Sequence, residues 1–204
     1  MRCRPLVVIV RGMCVASQAL SVVRAACEET SMTDEEQRVY DGWLLRRRAL
    51  LDAKQWGEAM QDVPRLTGLE PGIPRPLSRL LAEATVALIT SAGISQTDQP
   101  PMDGANIEGD YTIRLLDVDR PTGELRVWHT HFDTGPAQQD INVVYPIDRL
   151  KELAAEGIVG RVASPAVSFM GYFTNVFRIR DEVAPAVVAA ARGSGADAAV
   201  LVPV

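Results

Sequence analysis

The sequence predicts an α/β fold: an open, Rossmann-like mixed sheet flanked by helices, preceded by an N-terminal helical segment. Three observations carry this. Ala84-Thr85-Val86-Ala87-Leu88-Ile89-Thr90 is a short run rich in apolar and β-branched residues, the pattern of a strand buried on both faces. Ile147, Leu150, Leu153 and Ala154 lie on one face of a helix over about 147–156, which Gly157 is placed to end. The chain closes on a helical pattern over about 181–192, then Gly193-Ser194-Gly195 and the apolar run Ala198 to Val204, which reads as half of a βαβ unit. At 204 residues the chain is long enough for one such domain with a real core.

The elements follow in order. Residues 1–31 form an extension. Arg2 and Arg4 precede the apolar run Leu6 to Val10, the outline of a signal peptide, but Arg11 and Gly12 cut that run short. A start assigned too early, at Met1 instead of Met32, is favoured over export; the other readings are a disordered extension and a genuine extra strand and helix. Thr33 can cap a helix whose first turn holds Asp34, Glu35 and Glu36. Residues 32–75 are a helical segment, with Val39, Trp43, Leu44, Leu50, Leu51 and Trp56 at helical spacing over 34–62, followed by a linker containing Pro64, Pro71 and Pro74. Tyr40, Trp43 and Trp56 read as packing residues. Residues 76–204 are the α/β domain. It opens with a short helix at about 77–82 and the Ala84–Thr90 strand, and has a loop over 97–109. Tyr111–Leu116 and Leu125–Phe132 read as strands joined in a hairpin at Pro121-Thr122-Gly123, and Ile158–Val162 as a short strand. Asp181 is placed to cap the last helix. Were the final strand exposed, it would be an unprotected sheet edge and an aggregation risk.

Composition narrows the function. Hydrophobic residues make up 47%, charged residues 23%, and the formal net charge is −5, which argues against general nucleic-acid binding. The one tight basic run, Arg46-Arg47-Arg48, reads as a solvated helix face. No run is long enough to span a membrane. The three cysteines, Cys3, Cys14 and Cys27, precede residue 28. The main body therefore has no disulfide framework, cysteine zinc site or thiol nucleophile, and this fits a reducing cytoplasm. No GxGxxG, P-loop, GxSxG or HExxH pattern is present.

The densest polar cluster is Trp128-His129-Thr130-His131-Phe132-Asp133. On a strand, His129, His131 and Asp133 would share a face. Three readings stay open: a metal site on these three residues, substrate or proton handling by His129 and His131, and an internally bonded strand end. Thr90, Ser91 and Gly93 follow a buried strand with side chains small enough for close ligand approach. Asp110 and Arg114, at even spacing, could pair across a pocket mouth or form a surface salt bridge. Asp140 and Asn142 suit a turn or a cap.

Several of these strings together resemble the selenoprotein B family of glycine, sarcosine, betaine and D-proline reductases. They are Leu88-Ile89-Thr90-Ser91-Ala92-Gly93-Ile94, Asp98-Gln99-Pro100-Pro101, Gly109-Asp110 with Arg114, and His129-Thr130-His131-Phe132-Asp133. Asp140-Ile141-Asn142 through Asp148-Arg149-Leu150, Glu156-Gly157-Ile158-Val159-Gly160 and Ser168-Phe169-Met170-Gly171 continue the match across about 80–204. The resemblance implies an oxidoreductase subunit that cleaves a small-molecule substrate reductively with a dithiol or thioredoxin-like donor. Partner reductase subunits are implied as well, one carrying a carbonyl-containing prosthetic group. It also implies that a selenocysteine, or a cysteine in its place, follows Leu201-Val202-Pro203-Val204. On that reading the 204 residues stop at a UGA codon and are incomplete and inactive alone. No cofactor is expected within these residues. Thr90, Ser91, Gly93, Asp110, Arg114, Asp140 and Asn142 become candidate substrate contacts. Arg114 is a candidate to hold a carboxylate, and His129 or His131 to protonate the leaving group. The competing function is a non-catalytic α/β domain that binds a metal or small molecule through His129, His131 and Asp133.

Overall fold

The computed structural model describes the backbone of Val7–Val10 and residues 32–59, 61, 64, 66 and 76–204. The leader-like features of residues 1–6 and 11–31, all three cysteines, and nearly all of the Pro/Gly linker lie outside the described residues.

Strand β1 is Val7–Val10. Helix α1, Asp34–Asp52, starts at a capping box: Glu36 N–H donates to Thr33 Oγ1 and Thr33 N–H donates to a Glu36 carboxylate oxygen. The helix was expected to reach residue 62 but ends ten residues sooner. Lys54 takes a left-handed φ of 61°, Gln55 N–H donates to Leu50 O and Lys54 N–H to Leu51 O, which closes the helix in a Schellman motif. A single turn, α2 (Trp56–Ala59), follows.

The expected helix at 77–82 is a 3₁₀ turn at Leu81–Glu83. Then come β2 (Thr85–Thr90), β3 (Ile94–Gln96), β4 (Ile113–Leu116) and β5 (Leu125–Val127). Helix α3 (Gly135–Gln139), a 3₁₀ turn at Ile141–Val143 and α4 (Ile147–Ala155) lead to β6 (Arg161–Val162) and β7 (Ala166–Phe169). The chain finishes with α5 (Val176–Arg178), a π-helical turn at Ile179–Val183, α6 (Ala184–Gly193) and β8 (Ala198–Val202).

The fold is α/β, as expected. The main sheet runs β1–β8–β2–β7–β4, and β6 also pairs with β2. Strands β1, β8, β2, β6 and β7 are mutually parallel where they pair, and β4 is antiparallel to β7. β6 and β7 flank opposite ends of β2, interrupted at Ala163–Pro165, where Pro165 has no N–H to give a ladder. β3 and β5 form a separate antiparallel pair.

Two expectations are corrected here. The strands at 113–116 and 125–127 do not form a hairpin with each other: β4 joins β7, while β5 joins β3, because the short 3₁₀ turn at Thr122–Glu124 sends the chain to a second sheet. Asp181 is not a cap. The helical stretch begins earlier, at Asn175, whose side-chain oxygen accepts from Phe177 and Arg178 N–H, and Asp181 pairs with Arg180. The final strand, β8, is not an edge. It is paired on one side to β2 and on the other to β1.

Alternate residues of β2 enter two cores. Val86 and Leu88 pack with Leu116, Tyr145, Ile147 and Leu150 on the α4 face. Ala87 and Ile89 pack with Val167, Leu201, Val183 and Val187 on the α6 face. A third cluster, Tyr40, Trp43 and Phe177, seats α1 against α5. Trp56, read as packing, is 64% exposed. Truncating Leu88 to Ala, at a position with no exposed surface, is expected to cost about 2–5 kcal/mol in urea unfolding. Leu45→Ala, at 72% exposure, is expected to change stability by no more than about 0.5 kcal/mol.

Candidate functional site

The candidate residues gather where β2 leaves the sheet, at the carboxyl ends of the parallel strands, the usual ligand position in open α/β sheets. Thr90 is fully buried; its hydroxyl donates to Val144 O at 2.7 Å and accepts from Ala92 N–H. Ser91 N–H donates to Val202 O, and Ser91 Oγ accepts from Val204 N–H at 2.9 Å. The end of β8 is thereby tied to the end of β2. Gly93 has φ 67°, and a Cβ there would sit 3.1 Å from Met170 Cε and 3.5 Å from His129 Cβ. The glycine is needed both for its left-handed backbone and for this close approach. Gly93 O accepts from Trp128 N–H, and Trp128 Nε1 donates to Ser95 Oγ, so the histidine segment lies directly on the β2 turn.

The strand ends at Val127, so the strand alternation expected for His129, His131 and Asp133 does not hold: they lie in irregular chain that bends at His131 and Phe132. Thr130 Oγ1 donates to Gly104 O, and a Cβ on Gly104 would meet Trp128 O at 2.2 Å; the 97–109 loop forces the chain off the ladder here. His129 is buried, at 6% exposure, and its Nδ1 accepts from His131 N–H. The neutral ring therefore carries its proton on Nε2. That atom is buried with no hydrogen-bond partner among the described residues. Its ring lies edge-on to Phe132, with centroids 4.9 Å apart. His131 is exposed and stacks on Tyr172, at 3.4 Å and 7°. Burial, then the neighbouring His131, lowers the His129 pKa; burial, then the Arg47 charge, lowers that of His131.

The metal reading of this cluster does not fit. Asp133 Oδ1 accepts from Gly135 N–H, the two rings stand 5.9 Å apart edge to face, and among the described residues no three His, Cys, Asp or Glu side chains are grouped to hold a metal ion.

The remaining candidates fasten loops. Asp110 precedes β4 instead of lying on it. Burial opposes its charge, yet hydrogen bonds from Thr112 Oγ1, Asp103 N–H and Thr112 N–H outweigh this and keep its pKa below the ordinary carboxylate value. Arg114 donates to Pro100 O, Pro101 O, Thr112 Oγ1 and Ile113 O, which staples the 97–109 loop to β4; no salt bridge joins it to Asp110. Asp140 accepts from the Asn142 backbone and side chain, and Asn142 in turn bonds Asp148 at the first turn of α4. Their neighbour Val144 receives the Thr90 hydroxyl, so this turn does reach the β2 end. A shallow groove of about 520 Å³ lined by Val118, Lys151, Arg161 and Ser164 lies at the other end of the sheet, beside Arg161–Val162, which pair with Thr85–Val86 at the start of β2.

Sequence reasoning missed Arg47 and Tyr172. Arg47 was expected on a solvated face but is 3% exposed; it donates to Ile107 O and to the Tyr172 hydroxyl. Tyr40, Trp43 and Arg47 share one helix face at spacings of three and four, and that spacing was the available signal.

A family model for glycine/sarcosine/betaine reductase selenoprotein B matches residues 60–203. The chain belongs to this selenoprotein B family. It is 30% identical over 151 residues to D-proline reductase subunit gamma of Acetoanaerobium sticklandii, covering 70% of this chain and 61% of that one. It is 31% identical over 156 residues to glycine reductase complex component B subunit gamma of Carboxydothermus hydrogenoformans, covering 74% of this chain and 35% of the relative. A sarcosine reductase complex component B subunit beta of Peptoclostridium acidaminophilum is 30% identical over 106 residues, covering 50% and 24%. The chain thus spans less than two thirds of the length of these relatives. No solved structure matches it. No helix among the described residues is long and apolar enough to cross a membrane.

Both histidines titrate below the ordinary value of about 6.5 in the folded chain. The unfolded chain therefore binds more protons in the interval beneath that value. Their contribution to stability is complete above it and is lost as pH falls toward the folded pKa values. The urea midpoint is expected to drop between about pH 7.5 and about pH 5.5, and His129→Gln is expected to flatten that drop. An equal drop in the variant would place the dependence elsewhere.

Proposed function

We propose that this chain is the scaffold of a reductase subunit that cleaves the carbon–nitrogen bond of an amino-acid-like or betaine-like small molecule, with the reacting selenolate or thiolate supplied by polypeptide following Val204. One observation carries the reading. Val204 N–H is bonded to Ser91 Oγ, so the end of β8 lies at the carboxyl edge of the sheet beside Gly93, against which His129 is packed. A residue just beyond that point starts at the Ser91–Gly93 turn on which His129 is packed. Membership of a family described by its selenoprotein component supports the choice of nucleophile.

The chemistry follows from selenium's acidity. A selenol ionises more readily than a thiol, so at neutral pH it is present as the nucleophilic selenolate. Attack on the substrate carbon forms a selenium–carbon bond and breaks the carbon–nitrogen bond, and the amine leaves with the electron pair and takes up a proton. A thiolate then attacks selenium; the carbon departs with the selenium–carbon electron pair and is protonated, leaving a selenium–sulfur bond. A dithiol reduces that bond, as in thiol–disulfide exchange. Two electrons and two protons are consumed overall. Among the described residues, His129, through its partnerless Nε2–H, is the group assigned to donate a hydrogen bond to an anion in that corner. The turn at Asp140–Asn142 reaches the corner through the Thr90–Val144 hydrogen bond, and the Arg114-stapled loop reaches it through Thr130–Gly104. Partner reductase subunits and a dithiol or thioredoxin-like donor, in a reducing cytoplasmic compartment, complete the proposal.

The test extends the polypeptide beyond Val204 with the downstream gene sequence, carrying selenocysteine or cysteine. Dithiol-dependent amine release from glycine, sarcosine or betaine, or ring opening of D-proline to an open-chain amino acid, assayed with partner subunits present, is expected from the longer form and not from the 204 residues. Unaided reduction by the 204-residue chain would overturn the proposal, as would a downstream reading frame without selenocysteine or cysteine.

A further inference from the structure

The family model begins at residue 60, so α1 at Asp34–Asp52 lies before the matched segment. The helix is nevertheless locked onto the site. Arg47 projects from its buried face and donates through Nη1 to Ile107 O at 2.7 Å and through Nη2 to the Tyr172 hydroxyl. Tyr172 OH also donates to Ile107 O. The Tyr172 ring lies flat on the His131 imidazole, and the His131 backbone N–H donates to His129 Nδ1. Two further bonds fix the register of α1: Tyr40 OH to Thr174 Oγ1, two residues from Tyr172, and the Glu36–Arg180 ion pair. Gly109 adds to the constraint, since with φ 98° its missing Cβ leaves room for Tyr172 O, which a side chain would meet at 2.5 Å.

We propose that α1 is a positioning element for the histidine corner: Arg47 holds Tyr172, Tyr172 holds the His131 ring, and the His131 backbone holds His129 in the tautomer with its proton on Nε2. Arg47 and Tyr172 are positioning residues in this arrangement and touch no reacting atom. The inference rests on the reading of His129 as the hydrogen-bond donor of the site. A guanidinium suits the role because its planar fork reaches a carbonyl and a phenol at once, which an ammonium cannot do with the same geometry. Its charge also faces His131 and favours the neutral imidazole, in the same direction as burial.

The 204-residue chain has only two histidines, so its imidazole signals can be assigned by nitrogen and proton NMR without ambiguity. In the wild type, His129 is expected as a single Nε2–H tautomer and His131 with a ring-current shift from Tyr172. Tyr172→Leu, at a half-buried position, is expected to abolish the shift and leave His129 as a mixture of tautomers. Arg47→Met is expected to raise the His131 pKa and loosen the stack, while Arg47→Lys keeps the charge and restores the pKa but not the stack. Unchanged His131 shifts and an unchanged His129 tautomer in Tyr172→Leu would overturn the inference, even if Arg47→Met failed to fold. In the extended, selenocysteine- or cysteine-bearing form, Tyr172→Leu is expected to lower kcat about 10- to 100-fold with little change in KM. Altered NMR signatures with undiminished kcat would instead leave the positioning role standing and remove His129 from the reaction.

Discussion

The parallel pairing of β2 with β8 is the constraint on which the rest of the structure depends. All six residues of β2 are buried. Their backbone N–H and C=O groups have no water to turn to and must be satisfied by neighbouring strands. The register Val86–Ala198 through Thr90–Val202 does this for all of β2 but Thr85, and β6 and β7 lie along the other side. A shift of one residue would exchange Val86 and Leu88 for Ala87 and Ile89 between two differently shaped cores. Register, and with it the position of every group at the carboxyl end, is set by this packing.

The polar corner is built outward from that end in layers. Thr90 turns its hydroxyl to Val144, Ser91 turns its own to Val204, and Gly93 turns the backbone through a left-handed conformation that brings His129 into contact. Gly171 N–H donates to Ser91 O, so the loop leaving β7 is held by the same turn. Small residues are required because four segments converge within contact distance, and each larger side chain would displace one of them. The loops beyond are fastened by side chains that sequence reasoning had assigned to substrate: Asp110, Arg114, Asp140 and Asn142 each spend hydrogen bonds on nearby backbone.

How much of this the sequence revealed depended on how local the cause was. β2, α4 and β8 were legible because their burial patterns are contained within each segment. The end of α4 at Gly157, with φ 71°, was legible for the same reason. β3 and β7 were not singled out: Ile94-Ser95-Gln96 and Ala166-Val167-Ser168-Phe169 mix polar with apolar residues although nearly all are buried, so composition does not mark them as strands. The hairpin between β4 and β5 was misread because turn residues report that the chain reverses, and not which partner it reverses onto. The histidines were found by composition, but their shared face was inferred from a strand that stops at Val127. Arg47 was misplaced because a run of three arginines looks alike whether one of them is buried or none is. Only its spacing from Tyr40 and Trp43 separated it from Arg46 and Arg48.

The protonation state of His129 bears on what the corner can do under the proposed reading. A neutral imidazole with its proton on Nε2 offers a hydrogen bond, and it gives up no proton at neutral pH. It becomes an acid only if a nearby anion raises its pKa. A selenolate or a substrate carboxylate is such an anion, and burial magnifies the effect because the charges are poorly screened. Arg47 works in the opposite direction on His131, keeping the second ring uncharged and so removing a competitor for the same anion. A buried donor held by a stacked, neutral neighbour is therefore a coherent arrangement for meeting an acceptor, and a hydrogen bond to an anion made there is worth of the order of 1.5–3 kcal/mol.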